Sequence, residues 1–170
     1  SGSTGTPSVV GYTAQDLDLW ARLTARHFRT CGTRPGDVVH IALGYGMFTG
    51  GFGFHAGAER LGCTVVPASG GMTARQVRLI DDFGATTICA TPSYMLVILD
   101  EYRAQGRDPR QSPLRFGLFG GEPWSEAMRA EIEAGFNMQA LDCYGLSEVI
   151  GPGVATEDAE TKDGMHIWED

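Results

Sequence analysis

Residues Val38-Val39-His40-Ile41-Ala42-Leu43 form a nearly unbroken apolar run. A strand with one wet face alternates apolar and polar residues. A run that is apolar at both parities fits a strand covered on both faces, as in the parallel sheets of α/β proteins. The turn cluster Thr33-Arg34-Pro35-Gly36-Asp37 bounds the run on one side and Gly44 bounds it on the other.

Working outward, strand-like and helix-like segments alternate. Residues 9–13 read as a short strand. Thr13, with Asp16 three residues on, then caps a helix whose apolar face is Leu17, Trp20, Leu23, Phe28 and Cys31. A helix is predicted over 49–61, closed by Gly62. Its glycines at 50, 51, 53 and 57 each cost ~1 kcal/mol relative to alanine, which points to close backbone approach. Residues 64–67 read as a strand. Thr73 to Gln76 has capping-box spacing before a helix with Val77, Ile80 and Phe83 on its apolar face. A strand over 86–90 leads to a helix opened by Thr91-Pro92 and ended by Gly106. A polar connection over 107–113 follows, then a strand over 114–119. Ser125 caps a helix ending near Gly135, and a strand spans 138–143. Residues 156–164 read as an acidic loop, and 165–168 as an emerging strand. The fold class is therefore α/β, a largely parallel sheet with flanking helices.

Composition bounds the function. Apolar residues make up 42% of the 170, enough for a core, and the net charge of −8 excludes nucleic acid and an anionic membrane surface as natural partners. The apolar runs fall far short of the ~20 residues of a membrane span. Cys31, Cys63, Cys89 and Cys143 form no C-x-x-C pair and read as reduced thiols of a cytoplasmic protein. The chain opens at Ser1 inside a glycine-rich turn, so a piece of a longer protein is expected.

Four stretches could carry chemistry. Ser1-Gly2-Ser3-Thr4-Gly5-Thr6-Pro7 offers exposed N–H groups and hydroxyls suited to phosphate oxygens, though a flexible linker has the same composition. Gly44-Tyr45-Gly46 has the wrong spacing for a dinucleotide loop, and the 64–67 strand lacks the acidic end that would hold a ribose. The aromatic density at Tyr45, Phe48, Phe52 and Phe54 fits an apolar pocket wall or ordinary core. Gly120-Gly121-Glu122-Pro123 follows a strand, where small residues leave room for a flat ligand; a plain β–α turn reads as well. Asp142-Cys143-Tyr144-Gly145-Leu146-Ser147-Glu148 brings an aromatic face, two acids and a hydroxyl together. Glu148 there could hold Mg²⁺ or be a solvated loop acid. The histidines read as structural, with His55 set apart by its aromatic-lined segment.

Taken together, the opening turn resembles the phosphate loop of the adenylate-forming superfamily, and Tyr144-Gly145-Leu146-Ser147-Glu148 resembles its Y-G-x-[ST]-E motif. Residues 45–51, 57–62 and 119–124 are similar to phenylacetate–CoA ligases in particular. The resemblance implies part of the large N-terminal domain of such an enzyme over 1–170, starting at the phosphate loop and lacking the C-terminal lid domain. It implies activation of an aryl carboxylic acid, phenylacetate or similar, with ATP, and transfer of the acyl group to CoA. Ser3, Thr4 and Gly5 would bind phosphates. Gly121, Glu122, Pro123, Asp142, Tyr144 and Gly145 would frame the nucleotide. Ser147 and Glu148 would serve catalysis, with Glu148 on Mg²⁺. Leu43, Phe48, Phe54, Gly121, Cys143 and Pro152 would line the acyl pocket. Thr6 stands where the superfamily loop has lysine. Leu43 replaces a tyrosine of related enzymes and Phe54 a small residue, which moves bulk across the pocket. The segment alone is expected to be inactive, and a homodimeric longer protein is compatible with this reading. Alternatives are a coenzyme F-390 synthetase-like or other aryl-acid ligase, or a non-catalytic nucleotide-binding relative.

Overall fold

The computed structural model describes residue 6, residues 9–46 and residues 48–168. Among these, β1 (Val38–Ile41), β2 (Thr64–Val66), β3 (Thr87–Ala90), β4 (Phe116–Phe119), β5 (Gln139–Leu146), β6 (Gly151–Thr156) and β7 (His166–Ile167) form one sheet in the order β2-β1-β3-β4-β5-β6-β7. The pairs from β2 through β5 are parallel, and β5–β6 and β6–β7 are antiparallel. Helices α1 (Ala14–Thr30), α2 (Thr49–Leu61), α3 (Thr73–Asp82), α4 (Pro92–Ala104) and α5 (Glu126–Phe136) complete the α/β architecture.

Alternation within the strands separates two cores. Ile88, Ala90, Phe119 and Ala140 pack with α3, α4 and α5 through Val77, Met95, Ile98 and Ile132. Val39, Ile41, Cys89, Leu118 and Leu141 pack with α1 and α2 through Phe28, Phe54 and Ala58. Two covered faces explain why the central strands are apolar at both parities.

Helix α1 opens with a complete capping box: Asp16 N–H donates to Thr13 Oγ1 at 3.2 Å, and Thr13 N–H donates to Asp16 Oδ2 at 2.8 Å. The glycines of α2 are explained by α1. A Cβ on Gly53 would lie 2.4 Å from the Trp20 ring, and one on Gly57 would lie 2.5 Å from Thr24 Cβ. The approach forecast from helix propensity is thus a helix–helix contact.

Several local expectations are corrected. Residues 9–12 form no strand; Val9 is almost fully exposed and Tyr12 stacks on Trp20 instead. Leu17 stays half exposed, because burial along α1 begins at Trp20. Thr73 makes no capping box. The N-cap of α3 is Met72 in the left-handed region, and Gln76 instead donates to the Ser69 and Gly71 carbonyls at 2.8 Å and meets His40 Nε2. Phe83 is the exposed C-cap of α3 rather than part of its apolar face. Residues 107–113 include a short 3-10 turn with Pro109 buried. β5 runs on through Leu146 rather than ending at Cys143, paired with the unforeseen β6. The Gly-Pro-Gly start of β6 is tolerated because the ladder slips between Tyr144 and Gly145, where a proline without an N–H breaks no regular pairing. His27 is buried, and among the described residues neither ring nitrogen makes a hydrogen bond of good geometry, although the Gly153 backbone lies close enough to favour its charged form slightly, so the expectation of a fully satisfied structural histidine is not met there.

Candidate functional site

At the carboxyl ends of β1, β4 and β5 the chain surrounds a cavity of about 360 Å³. Leu43, Phe48, Phe54, Gly121, Cys143 and Pro152 all border it, and so do Tyr144, Gly145 and Ser147. Phe54 is buried on α2 and meets Phe28 edge-on at 5.8 Å, while Phe48 is the half-exposed N-cap of that helix. Small residues make the space. A Cβ on Gly120 would lie 2.3 Å from the Cys143 carbonyl oxygen, and one on Gly145 would lie 1.7 Å from that of Gly151. Cys143 Sγ donates to the Phe119 carbonyl at 3.1 Å, and burial pushes its thiol well above the ordinary range, so it acts as a wall and not a nucleophile. The bordering residues carry no charge at neutral pH, which suits a neutral, apolar ligand body.

The turn at 147–150, which joins β5 to β6, closes one side. Ser147 is held twice: its hydroxyl lies 2.5 Å from Thr49 Oγ1, and its carbonyl accepts from Tyr12 O–H at 2.8 Å. Beyond the turn, the Pro152 carbonyl accepts from Trp20 Nε1 at 2.6 Å, and Thr24 Oγ1 lies between that oxygen at 3.0 Å and the Trp20 carbonyl at 2.9 Å, its one proton shared between them. Burial raises the Tyr12 phenol pKa, with the charges of Glu148 and Asp16 adding to it. The sequence reading gave Thr49, Tyr12, Trp20 and Thr24 no part in the site, Trp20 being read only as core on the apolar face of its helix. Only Thr49 carried a signal, its place directly after Phe48.

Glu122, Asp142 and Glu148 adjoin lining residues in the chain, and Pro123 lies two positions past Gly121, but none of the four borders the cavity. The Glu122 carboxylate accepts from Ser93 N–H at 2.7 Å, in the first turn of α4, where a helix N-terminus favours negative charge. Asp142 lies within β5, not after it. Its N–H donates to Glu157 Oε2 at 2.7 Å, and Arg129 grips Glu157 with two bonds at 2.8 and 2.9 Å while its guanidinium lies over the Trp124 ring at 4.6 Å. Burial lifts the Asp142 carboxyl above its usual value and Glu157 adds to the effect, against a hydrogen bond from Trp124 and the charge of Arg129. Glu157, buried in a stretch read as acidic loop, had no sequence signal. Ser3, Thr4 and Gly5 lie outside the described residues.

No group of three or more His, Cys, Asp or Glu side chains forms a metal cage among the described residues. The exposed Glu148 beside Ser147 offers one carboxylate. That donor set fits Mg²⁺ shared with phosphate oxygens, which takes one or two carboxylates. No helix of the described residues is long and apolar enough to cross a membrane.

The chain has extensive relatives. It is 60% identical to a phenylacetate-coenzyme A ligase of Aromatoleum evansii over 170 residues, all of this chain and 39% of that protein. It is 56% identical to the phenylacetate-coenzyme A ligase of Escherichia coli (strain K12), again over all of this chain and 39% of that protein. The chain thus spans about two fifths of the length of these curated relatives. A 2-hydroxyisobutyryl-CoA ligase solved with 2-HIB-AMP and CoA superimposes with a TM-score of 0.93 at 31% identity, over 99% of this chain and 36% of that one. The family model for AMP-binding enzymes matches residues 1–167. A parallel sheet with its cavity at the strand ends, matched by that model over nearly every residue, establishes that the chain belongs to the AMP-binding enzyme family.

Proposed function

We propose that the protein carrying this chain is an AMP-forming acid–thiol ligase that activates a single-ring aryl carboxylic acid, phenylacetate or a similar compound. ATP would be the activating substrate and CoA the acceptor. The observation that carries this reading is the two-sided cavity. Its inner wall is apolar at Leu43, Phe48, Phe54 and Cys143, and its rim bears the hydroxyl of Ser147 and the phenol of Tyr144. At about 360 Å³ it sits near the small end of ordinary ligand pockets, roughly 300–1,000 Å³, which suits one ring better than a long acyl chain. The phenylacetate-coenzyme A ligase names of its relatives support the same choice.

The residues divide the work by chemistry. The apolar wall would hold the ring and turn the carboxylate toward the rim, where Ser147 would lie near the α-phosphate. Ser3, Thr4 and Gly5 would bind the phosphate chain through N–H and hydroxyl donors. Gly121, Glu122, Pro123, Asp142, Tyr144 and Gly145 would frame the nucleotide, with Asp142 steadied through its N–H by Glu157. Glu148 would hold Mg²⁺, whose contribution is to neutralise phosphate charge as one anion approaches another. The chain's own part is positioning and fixed dipoles, which supply much of the rate in such transfers.

The full-length protein should catalyse acid-dependent exchange of pyrophosphate into ATP and, with CoA added, yield acyl-CoA detectable by mass spectrometry. Exchange stimulated by single-ring aryl acids is expected. No exchange with any carboxylic acid tested would overturn the proposal.

A further inference from the structure

The turn that carries Ser147 and Glu148 is a hairpin connection, the kind of segment that is ordinarily free to move. Here it is tied at both ends by donors from outside the hairpin. At its first residue, Tyr12 O–H reaches the Ser147 carbonyl at 2.8 Å; just past it, Trp20 Nε1 donates to the Pro152 carbonyl at 2.6 Å, and Thr24 Oγ1, 3.0 Å from that oxygen, shares its one proton with the Trp20 carbonyl at 2.9 Å. Tyr12 and Trp20 stack with ring centroids 5.3 Å apart, so the two ties share one support. Room for that support has been cleared on two elements. A Cβ at Gly53 or at Gly151 would lie within 2.4 or 2.5 Å of the Trp20 ring. Apolar packing alone would seat α1 on the sheet. It would not need a phenol and an indole N–H aimed at two carbonyls, one at the first residue of the turn and one just past it.

We infer that Tyr12 is a positioning residue: its hydroxyl, backed by the Trp20–Thr24 grip on Pro152, fixes the height of the 147–150 turn and so the place where Ser147 and Glu148 meet a metal–triphosphate. This rests on the ligase reading for the identity of the ligand. Tyr12 touches no reacting atom in this scheme. It acts through the Ser147 carbonyl, leaving the Ser147 hydroxyl to Thr49.

The test uses the full-length protein and the variants Tyr12→Phe and Thr24→Val. Tyr12→Phe keeps the ring on Trp20 and removes only the donor. Titration calorimetry with ATP, with and without Mg²⁺, reads binding directly, and pyrophosphate exchange reads turnover. The expected result for Tyr12→Phe is an unchanged melting temperature and unchanged KM for the acid. The maximal exchange rate should fall about tenfold or more, and the tightening of ATP binding by Mg²⁺ should shrink. Thr24→Val should move the same readings less far. Two outcomes overturn the inference: Tyr12→Phe indistinguishable from wild type, or a uniform loss in every reading together with a lower melting temperature, which would make Tyr12 merely structural. Wild-type protein that binds Mg²⁺–ATP but exchanges with no acid would defeat the ligase reading alone, and the calorimetric comparison would still decide the role of Tyr12. Wild-type protein that binds no ATP overturns both.

Discussion

Trp20 Nε1 donates to the Pro152 carbonyl at 2.6 Å, a buried bond between residues 132 apart in the chain. The indole reaches β6 because Gly53 and Gly151 leave room for its ring. Gly53→Ala should therefore destabilise the protein, although alanine is the better helix former by about 1 kcal/mol. Overpacking of this kind costs roughly 1–3 kcal/mol. Gly11→Ala, where a Cβ meets nothing within 4 Å, is the matched control. Thermal denaturation of both variants should show a drop for the first alone.

His27 is fully buried, and burial holds its pKa down to about 4, against a small opposing effect from the backbone at Gly153. A depressed histidine stabilises the fold above its unfolded pKa of about 6.5, and that stability is lost as pH falls toward the folded value. The loss amounts to about 3 kcal/mol at most. His27→Phe, which keeps a ring beside Trp168, should flatten the decline between pH 6.5 and 4. Denaturant unfolding across that range compares the two slopes, and parallel slopes would show that another group titrates.

Arg129 and Glu157 are about nine-tenths buried and joined by two bonds. Arg129→Met would leave the Glu157 carboxylate, among the described residues, with the Asp142 N–H but without its guanidinium, a loss of about 3–5 kcal/mol. Adding Glu157→Gln to that variant should recover a large part of it, because no charge then stays unpaired. Urea midpoints of the single and double variants measure the recovery. The Asp142 segment should loosen as well, seen as a raised KM for ATP in the single variant.

Phe54 forms the inner wall of the cavity. Phe54→Leu should enlarge it modestly and shift preference toward bulkier aryl acids. Relative kcat/KM for a one-ring and a two-ring acid is the direct readout, with a change of about tenfold expected from the freed volume. A ratio equal to wild type would mean that Phe54 does not touch the acyl group.

The parallel part of the sheet was legible because its strands are buried on both faces and are therefore apolar throughout, as at 38–43. Caps at Thr13, Thr91 and Ser125 were legible for a local reason, since each side chain bonds an N–H only three residues away. The six acyl-pocket positions and the Tyr144–Ser147 run, drawn from family resemblance, prove to border one cavity. What escaped was non-local. β6 opens Gly-Pro-Gly and takes its strand geometry from β5, not from its own residues. Glu157 looked like a solvated acid until Arg129, 28 positions earlier, came to face it. Tyr12 reads as part of a short strand over 9–13, and nothing local announces a bond to Ser147.

The cavity draws on residues near 43–54, on 120–121 and on 143–152, so it exists only once walls about a hundred positions apart in the chain have met. Contacts of such long sequence separation form late in folding. A nascent chain would therefore have most of its secondary structure before it had anywhere to put a substrate. Bound ligand should then slow unfolding far more than it speeds folding.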